Sequence, residues 1–273
     1  MHFEQKFSIF SWLKAALAAL AIMVATQPAM ANDDNMSVDG RGFEFYSPPG
    51  MENQRGPLLL VLHGGLSSAS DFRSRYSLVD AAMRGGYHIA YLNGTIQGRM
   101  RRDRRTWNAG NCCGSANDQN IDDVGFISDV ISALITRGVA DPNRVFMFGS
   151  SNGAMMSYRM ACERAYLIRG VISISGPLVV NSCANASGVD ILHIHGRSDR
   201  IVPIDGGGRG NWLSGSPFPS VDQTDNALRA AGANVQLILL QQGDHGLQNV
   251  AESFRNERGA ELSATVTQFI QAR

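Results

Sequence analysis

The sequence has no excess of charge of either sign: Lys and Arg number 24, and Asp and Glu also number 24. A balanced chain lacks the electrostatic footprint of a nucleic-acid binder or of a protein held on an anionic membrane surface. Cysteine is scarce, at four residues. None belongs to a Cys-x-x-Cys or accompanies a spaced His pair, which argues against a metal site. No metal or cofactor is expected. No apolar run reaches a comfortable membrane span, so stable membrane insertion is not expected. Internal repeats and linkers are absent too, so the 273 residues read as a single domain, acting as a monomer or homodimer.

The one apolar stretch of note lies near the start. Lys6 and Lys14 flank the beginning of a run from Leu13 to Val24, followed by Gln27-Pro28-Ala29-Met30-Ala31. A charged start, a short apolar core and a small-x-small site read as a secretory signal peptide over residues 1–31, cut after Ala31. Residues 32–273 are then the mature domain, outside the cell or in a periplasm. Export changes how Cys112, Cys113, Cys162 and Cys183 read, because an even set in an oxidising compartment suggests disulfides. Cys162 is expected to pair with Cys183. A vicinal bond between Cys112 and Cys113 strains the intervening peptide, so each is expected to reach elsewhere.

Along the mature chain, short apolar runs alternate with helix-forming stretches. Strand-like pieces are Gly42–Tyr46, Pro57–Leu62, Tyr87–Leu92, Arg144–Phe148, Val171–Ile174, Asp190–His195 and Val235–Leu240. The continuous apolar runs among them suit parallel strands buried on both faces. Helices are expected over Asp71–Arg84, Ile121–Arg137, Ala154–Ala161, Val221–Ala231 and Ala260–Ala272. Asn93–Asn120 and Ile201–Ser220 read as long loops, the kind that usually carry function. The alternation predicts an α/β chain with a single doubly wound, mostly parallel sheet and helices on both faces.

Gly149-Ser150-Ser151-Asn152-Gly153 is a G-x-S-x-G sequence between a strand and a helix, the setting of the α/β-hydrolase nucleophile elbow. Ser151 would stand at the carboxyl end of the strand. A serine hydroxyl needs a base to take its proton and an acid to orient the base. In this fold the order is Ser, acid, His. His193 and His195 share a strand face and read as satisfied core histidines, which leaves His245 as the base. Asp199, in the loop after Asp190–His195, is the expected acid, with Asp205 the second choice; Asp244 adjoins His245 and reads as a loop residue. The oxyanion hole should use the N–H of Asn152 and one from Gly64-Gly65-Leu66, with Gly65 and Leu66 the candidates. Trp107 is a candidate aromatic wall of an acyl pocket, with core packing the other reading. His63 should pack or hydrogen-bond beneath the Gly64–Leu66 loop and is grouped with Trp107 as a candidate substrate-binding residue. The run Arg99-Met100-Arg101-Arg102-Asp103-Arg104-Arg105 reads first as a solvated loop. Reception of a carboxylate or a uronic-acid-bearing polysaccharide is the functional alternative.

The motifs Leu62-His63-Gly64-Gly65, Trp107-Asn108-Ala109-Gly110-Asn111-Cys112-Cys113-Gly114, Asp122-Asp123-Val124-Gly125-Phe126, the elbow, and His193-Ile194-His195-Gly196 with Asp199 span nearly the whole mature chain. They resemble the secreted polyhydroxybutyrate depolymerase/feruloyl esterase family of α/β-hydrolases. The resemblance implies carboxylic ester hydrolysis by Ser151, Asp199 and His245. Feruloyl or acetyl esters of plant polysaccharide lead as substrates, and a polyester depolymerase or oligomer hydrolase is the alternative. It also implies that Asp122-Asp123 and the Cys-Cys block shape the site wall. A catalytically silent fold used for binding is the reading outside the enzyme class.

Overall fold

The computed structural model describes residues 31–76, 84–98, 104–208 and 217–273, with backbone only for 31–35. Residues 1–30, where the leader is expected, residues 77–83 of the expected Asp71–Arg84 helix, and most of the arginine-rich run lie outside the described residues. The strands are β1 (Ala31–Val38), β2 (Arg41–Ser47), β3 (Gly56–Leu62), β4 (His88–Leu92), β5 (Thr95–Ile96), β6 (Arg105–Thr106), β7 (Ala140–Ser150), β8 (Gly170–Ile174), β9 (Asp190–Gly196) and β10 (Asn234–Leu240). The helices are α1 (Ala69–Arg75), α2 (Gly114–Asp118), α3 (Asp123–Thr136), α4 (Asn152–Glu163), α5 (Val221–Ala230), α6 (Leu247–Arg258) and α7 (Leu262–Gln271).

Eight strands form one sheet in the order β1-β2-β4-β3-β7-β8-β9-β10. Pairing is parallel from β4 to β10, and β1 and β2 add an antiparallel edge. Every residue of β3, β8 and β9 is buried, because helices cover both faces and period-two alternation has no solvent side to address. Leu58, Leu60 and Leu62 pack with α3, α4 and α5 on one face. Leu59 and Val61 pack with α1, α6 and α7 on the other.

The chain reverses direction across the sheet between β3 and β7, and at such a switch point the loops after adjacent strands diverge and leave a crevice. Leu62 pairs with Gly149 there, so the Gly64–Leu66 loop and the elbow leave the sheet side by side. At the other end Gly196 pairs with Leu240, so the loops bearing Asp199 and His245 also emerge together.

Several sequence expectations change. Asn93–Asn120 is not structureless: β5 and β6 form a small antiparallel pair, and α2 follows. β1 went unread because its sequence carries no strand pattern: it pairs with β2 along the sheet edge, and its Met36 and Val38 pack against the core. Helix α6 also went unread, although Leu247, Val250 and Phe254 are buried at helical spacing. Cys162 does pair with Cys183. Cys112 and Cys113, in contrast to expectation, pair with each other. With Cys162 and Cys183 joined and both remaining sulfurs in the interior, each has only its neighbour as partner.

The Cys162–Cys183 bond ties the elbow helix to the loop after β8 across 21 residues. Closing a loop of that size restricts the unfolded chain by about 3 kcal/mol. A Cys162→Ala/Cys183→Ala variant should therefore lose several degrees of Tm and keep its fold, as read by calorimetry and circular dichroism.

Candidate active site

Ser151 sits between β7 and α4 at φ 54° and ψ −120°, a region that costs a side-chain-bearing residue on the order of 1–3 kcal/mol. Its N–H donates to the Ile174 carbonyl at 2.8 Å, which pins the turn to the end of β8. The flanking glycines are steric necessities. A Cβ on Gly149 would overlap the Gly153 carbonyl, and one on Gly153 would overlap the carbonyls of Leu62 and His63. The close approach of β3, β7 and α4 thus depends on both.

The structure brings together the three residues predicted to act in sequence. Ser151 Oγ lies 2.9 Å from His245 Nε2, and His245 Nδ1 lies 2.7 Å from Asp199 Oδ2. An ionised carboxylate only accepts, so Nδ1 carries the proton and Nε2 is free to accept from the Ser151 hydroxyl. Asp199 is 3% exposed. Burial opposes its ionisation, but hydrogen bonds from His195 and His245, the charge of His245 and the Val202 N–H outweigh it and hold the carboxyl well below the usual range. Its Oδ1 accepts the N–H groups of Ile201 and Val202 at 2.9 and 2.8 Å. Asp205 is exposed. Asp244 turns to the Gly246 N–H and the Asn249 amide instead.

The oxyanion side needs one correction. The Leu66 N–H already donates to the Arg105 carbonyl at 2.7 Å, so it is not available to a developing oxyanion. The N–H groups of Asn152 and Gly65 have no acceptor among the described residues. Asn152 opens α4, where the first N–H groups lack intrahelical partners. Gly64 packs against the Ser151 Cβ, which brings the loop up to the nucleophile.

Trp107 and His63 are a second correction. Both are buried, at 0% and 1% exposure, so neither side chain can touch a substrate from the surface. Trp107 Nε1–H donates to the His63 carbonyl at 3.0 Å. The Gly94 N–H donates to His63 Nε2 at 3.1 Å, which leaves Nδ1–H to donate to the Gly64 carbonyl at 2.7 Å. The pair therefore forms the floor of the Gly64–Leu66 loop.

The backbone of Trp107 has a role that its side chain suggested only by proximity. Its N–H donates to Asn152 Oδ1 at 2.7 Å, and its carbonyl accepts from Asn152 Nδ2 at 3.0 Å. The next residue, Asn108, donates its N–H to buried Asp123 Oδ2 at 2.6 Å, and Asp123 pairs with Arg41 at 2.7 Å. Arg41 also stacks on Phe126. Asp122 caps α3 by accepting from the Gly125 N–H. Asp123 thus braces the loop that clamps Asn152. Nothing in the spacing marked Arg41, which lies far upstream on β2.

Two clefts open nearby. One, of about 480 Å³, is lined by Ser198, Arg200, Ile201, Asp244, His245 and Asn249. The other, of about 330 Å³, is lined by Asn111, Leu178, Val179, Phe218 and Thr224 among others. Asn111 and Phe218 belong to the two long loops read from the sequence, so those loops share a wall. Among the described residues no cluster of His, Cys, Asp and Glu has the arrangement of a metal site.

The mostly parallel sheet with helices on both faces is shared with solved structures. A Bacillus cereus carboxylesterase superposes with a TM-score of 0.57 at 16% identity, covering 81% of this chain and 96% of that one. The chain has the α/β-hydrolase fold. Within that fold, residues 114–210 match the phospholipase/carboxylesterase family model. Feruloyl esterase B of Piromyces equi is 31% identical over 156 residues, 55% of this chain and 27% of that protein. The NocK protein of Nocardia uniformis subsp. tsuyamanensis is 30% identical over 170 residues, 61% of this chain and 47% of its own. The chain thus spans less than half the length of these curated relatives. The resemblance to feruloyl esterases read from the motifs agrees with these matches.

Two outcomes follow from the bracing. Asn152→Ala should leave the Trp107 N–H and carbonyl unpaired in the interior, at about 1–3 kcal/mol for each group. Urea unfolding should show a loss of that order. The second concerns pH. Burial, the largest effect on His63, lowers its pKa from 6.5 to about 4, and His88 and His193 shift the same way. The unfolded chain therefore takes up protons at a pH where the folded chain does not. His63's contribution is complete above about pH 6.5 and is lost as pH falls to about 4, by on the order of 3 kcal/mol. Urea midpoints at pH 7 and 4.5 check this, and an unchanged midpoint would contradict it.

Proposed function

We propose that this chain is an exported serine carboxylic-ester hydrolase, acting on feruloyl or acetyl esters of plant polysaccharide. The observation that carries the reading is the continuous hydrogen-bonded series from Asp199 through His245 to Ser151, beside two N–H groups without acceptors. The similarity to proteins named feruloyl esterase, and to a bifunctional acetylxylan esterase/xylanase of Neocallimastix patriciarum, supports the choice of acyl group and polymer.

The chemistry follows from the geometry. His245 Nε2 takes the Ser151 proton as Oγ attacks the ester carbonyl. The carbonyl oxygen gains negative charge and receives the N–H groups of Asn152 and Gly65. Asp199 keeps the imidazole in the Nδ1–H tautomer and stabilises its charged form. The tetrahedral intermediate collapses, His245 protonates the departing alcohol, and an acyl-Ser151 remains. Water, deprotonated by His245, attacks that acyl group, and the acid and free serine are released. A silent binding fold would have no use for the strained serine and its aligned base.

Ser151→Ala and His245→Ala should each lower kcat by about 10⁴-fold or more, and the double variant should lose little beyond that, because the three groups act as a unit. A fluorophosphonate should label the native chain and leave Ser151→Ala unlabelled. Rates on methyl ferulate, acetylated xylan and hydroxybutyrate oligomers then test the substrate. Turnover confined to the hydroxybutyrate oligomers would refute the polysaccharide reading while leaving the mechanism intact.

A further inference from the structure

Two histidines on β9 lie behind the acid. His193 and His195 point to the same face and are completely buried. His195 Nε2 lies 2.9 Å from the Val202 carbonyl and 3.2 Å from Asp199 Oδ2. Both atoms are acceptors, so Nε2 carries a proton, donated to the Val202 carbonyl with the Asp199 carboxylate alongside. His195 Nδ1 lies 3.2 Å from His193 Nε2. In a neutral His195 ring Nδ1 accepts, and His193 Nε2 is the donor. A second proton on His195 would force His193 to accept at Nε2 and place its own N–H at Nδ1. That atom has no partner among the described residues, and a stranded buried N–H is costly. The Val202 carbonyl thus dictates the tautomers of both rings.

We propose that His195 is a positioning residue for Asp199, held in turn by His193. The proposal rests on Asp199 being the acid of the reaction. Asp199 Oδ2 receives the N–H of His245 and lies 3.2 Å from His195 Nε2, while Oδ1 receives the N–H groups of Ile201 and Val202. Val202 is joined to the same unit twice, donating to Oδ1 and accepting from His195. The carboxylate therefore cannot rotate about its Cβ–Cγ bond without breaking several bonds. Oδ2 stays aimed at His245 Nδ1, and the His195 donor withdraws part of the negative charge that Oδ2 would otherwise present. The titratable groups around this assembly are Asp199 and His245 from the loops after β9 and β10, and His193 on the same strand. From α4, Tyr158 meets the His193 ring edge-on at 5.8 Å.

His195→Phe removes the donor and fills the space. It should lower kcat by about 10–100-fold with KM little changed, as expected of slight misplacement of a reacting group. It should also move the acid limb of the kcat/KM profile to higher pH, because a carboxylate relieved of one donor binds the protonated His245 ring more strongly. His195→Gln, whose amide restores an N–H near Nε2, should recover most of the rate and the native pH profile. A folded His195→Phe with native kcat and pH profile overturns the proposal, as does a His195→Gln no better than it. Should the variants not fold, nitrogen NMR of the histidine-labelled native chain decides. A His195 ring with Nε2 protonated and Nδ1 bare supports the proposal, and the opposite tautomer refutes it. That measurement reads no turnover, so failure of ester hydrolysis in the native chain would be separately visible.

Discussion

The backbone of Ser151 is held where a serine would not settle by itself. Its φ of 54° is stable only because neighbours on three sides leave no alternative. The Ile174 carbonyl takes its N–H, Gly149 and Gly153 allow β7, α4 and β3 to close around it, and α4 continues from it as a buried helix. The strain has a chemical return. It sets Oγ 2.9 Å from His245 Nε2. The β3–β7 pairing that sets this approach is also the switch point of the sheet, so the crevice and the nucleophile share one cause.

The acid obeys a different constraint. A carboxylate at 3% exposure is expensive unless each lone pair is met. Asp199 is met by three N–H groups, from His245, Ile201 and Val202, and by the His195 ring at 3.2 Å. One consequence is persistent charge near neutrality, which the imidazole needs when it becomes cationic. Another is that the loop from Gly196 to Val202 is folded about the carboxylate. Gly196 belongs to the same requirement, since a Cβ there would collide with the Gly243 backbone of the loop that carries His245.

Much of this was legible from residue order. Strands such as Pro57–Leu62 and Val235–Leu240 are buried by helices and therefore written as apolar runs. The three residues now hydrogen-bonded in series were each named, because their order and their places after strand ends follow from how a parallel sheet presents its loops. What escaped depends on partners that sequence does not display. Leu66 looked like a donor because the Arg105 carbonyl that occupies its N–H is contributed by a distant strand. Trp107 beside the site could equally have been wall or floor, and only the His63 carbonyl beneath it decides for floor. β1 joins by backbone pairing and two apolar side chains, Met36 and Val38, too few to make a pattern, and α6 has its pattern inside a stretch dominated by polar residues. Strain in a vicinal bond argued against Cys112–Cys113, yet the Cys162–Cys183 pairing removed every other partner.

The polar interior is organised as two braces with separate duties. One runs from Arg41 through Asp123 to the Asn108 N–H, then by the Trp107 backbone to the Asn152 side chain. It holds the residue whose N–H is the proposed oxyanion donor. The other runs from His193 through His195 to Asp199 and His245. It holds the base. They approach from opposite sides of the β3–β7–β8 region and meet only at Ser151. Each brace places charged or polar groups in the interior, where a missing partner costs more than the bond itself contributes. The arrangement is therefore costly to perturb at any point along either brace, including Arg41 and His193, which do not touch Ser151. Rigidity of that kind suits a reaction whose acceleration comes from donors already aimed at a charge that has yet to form.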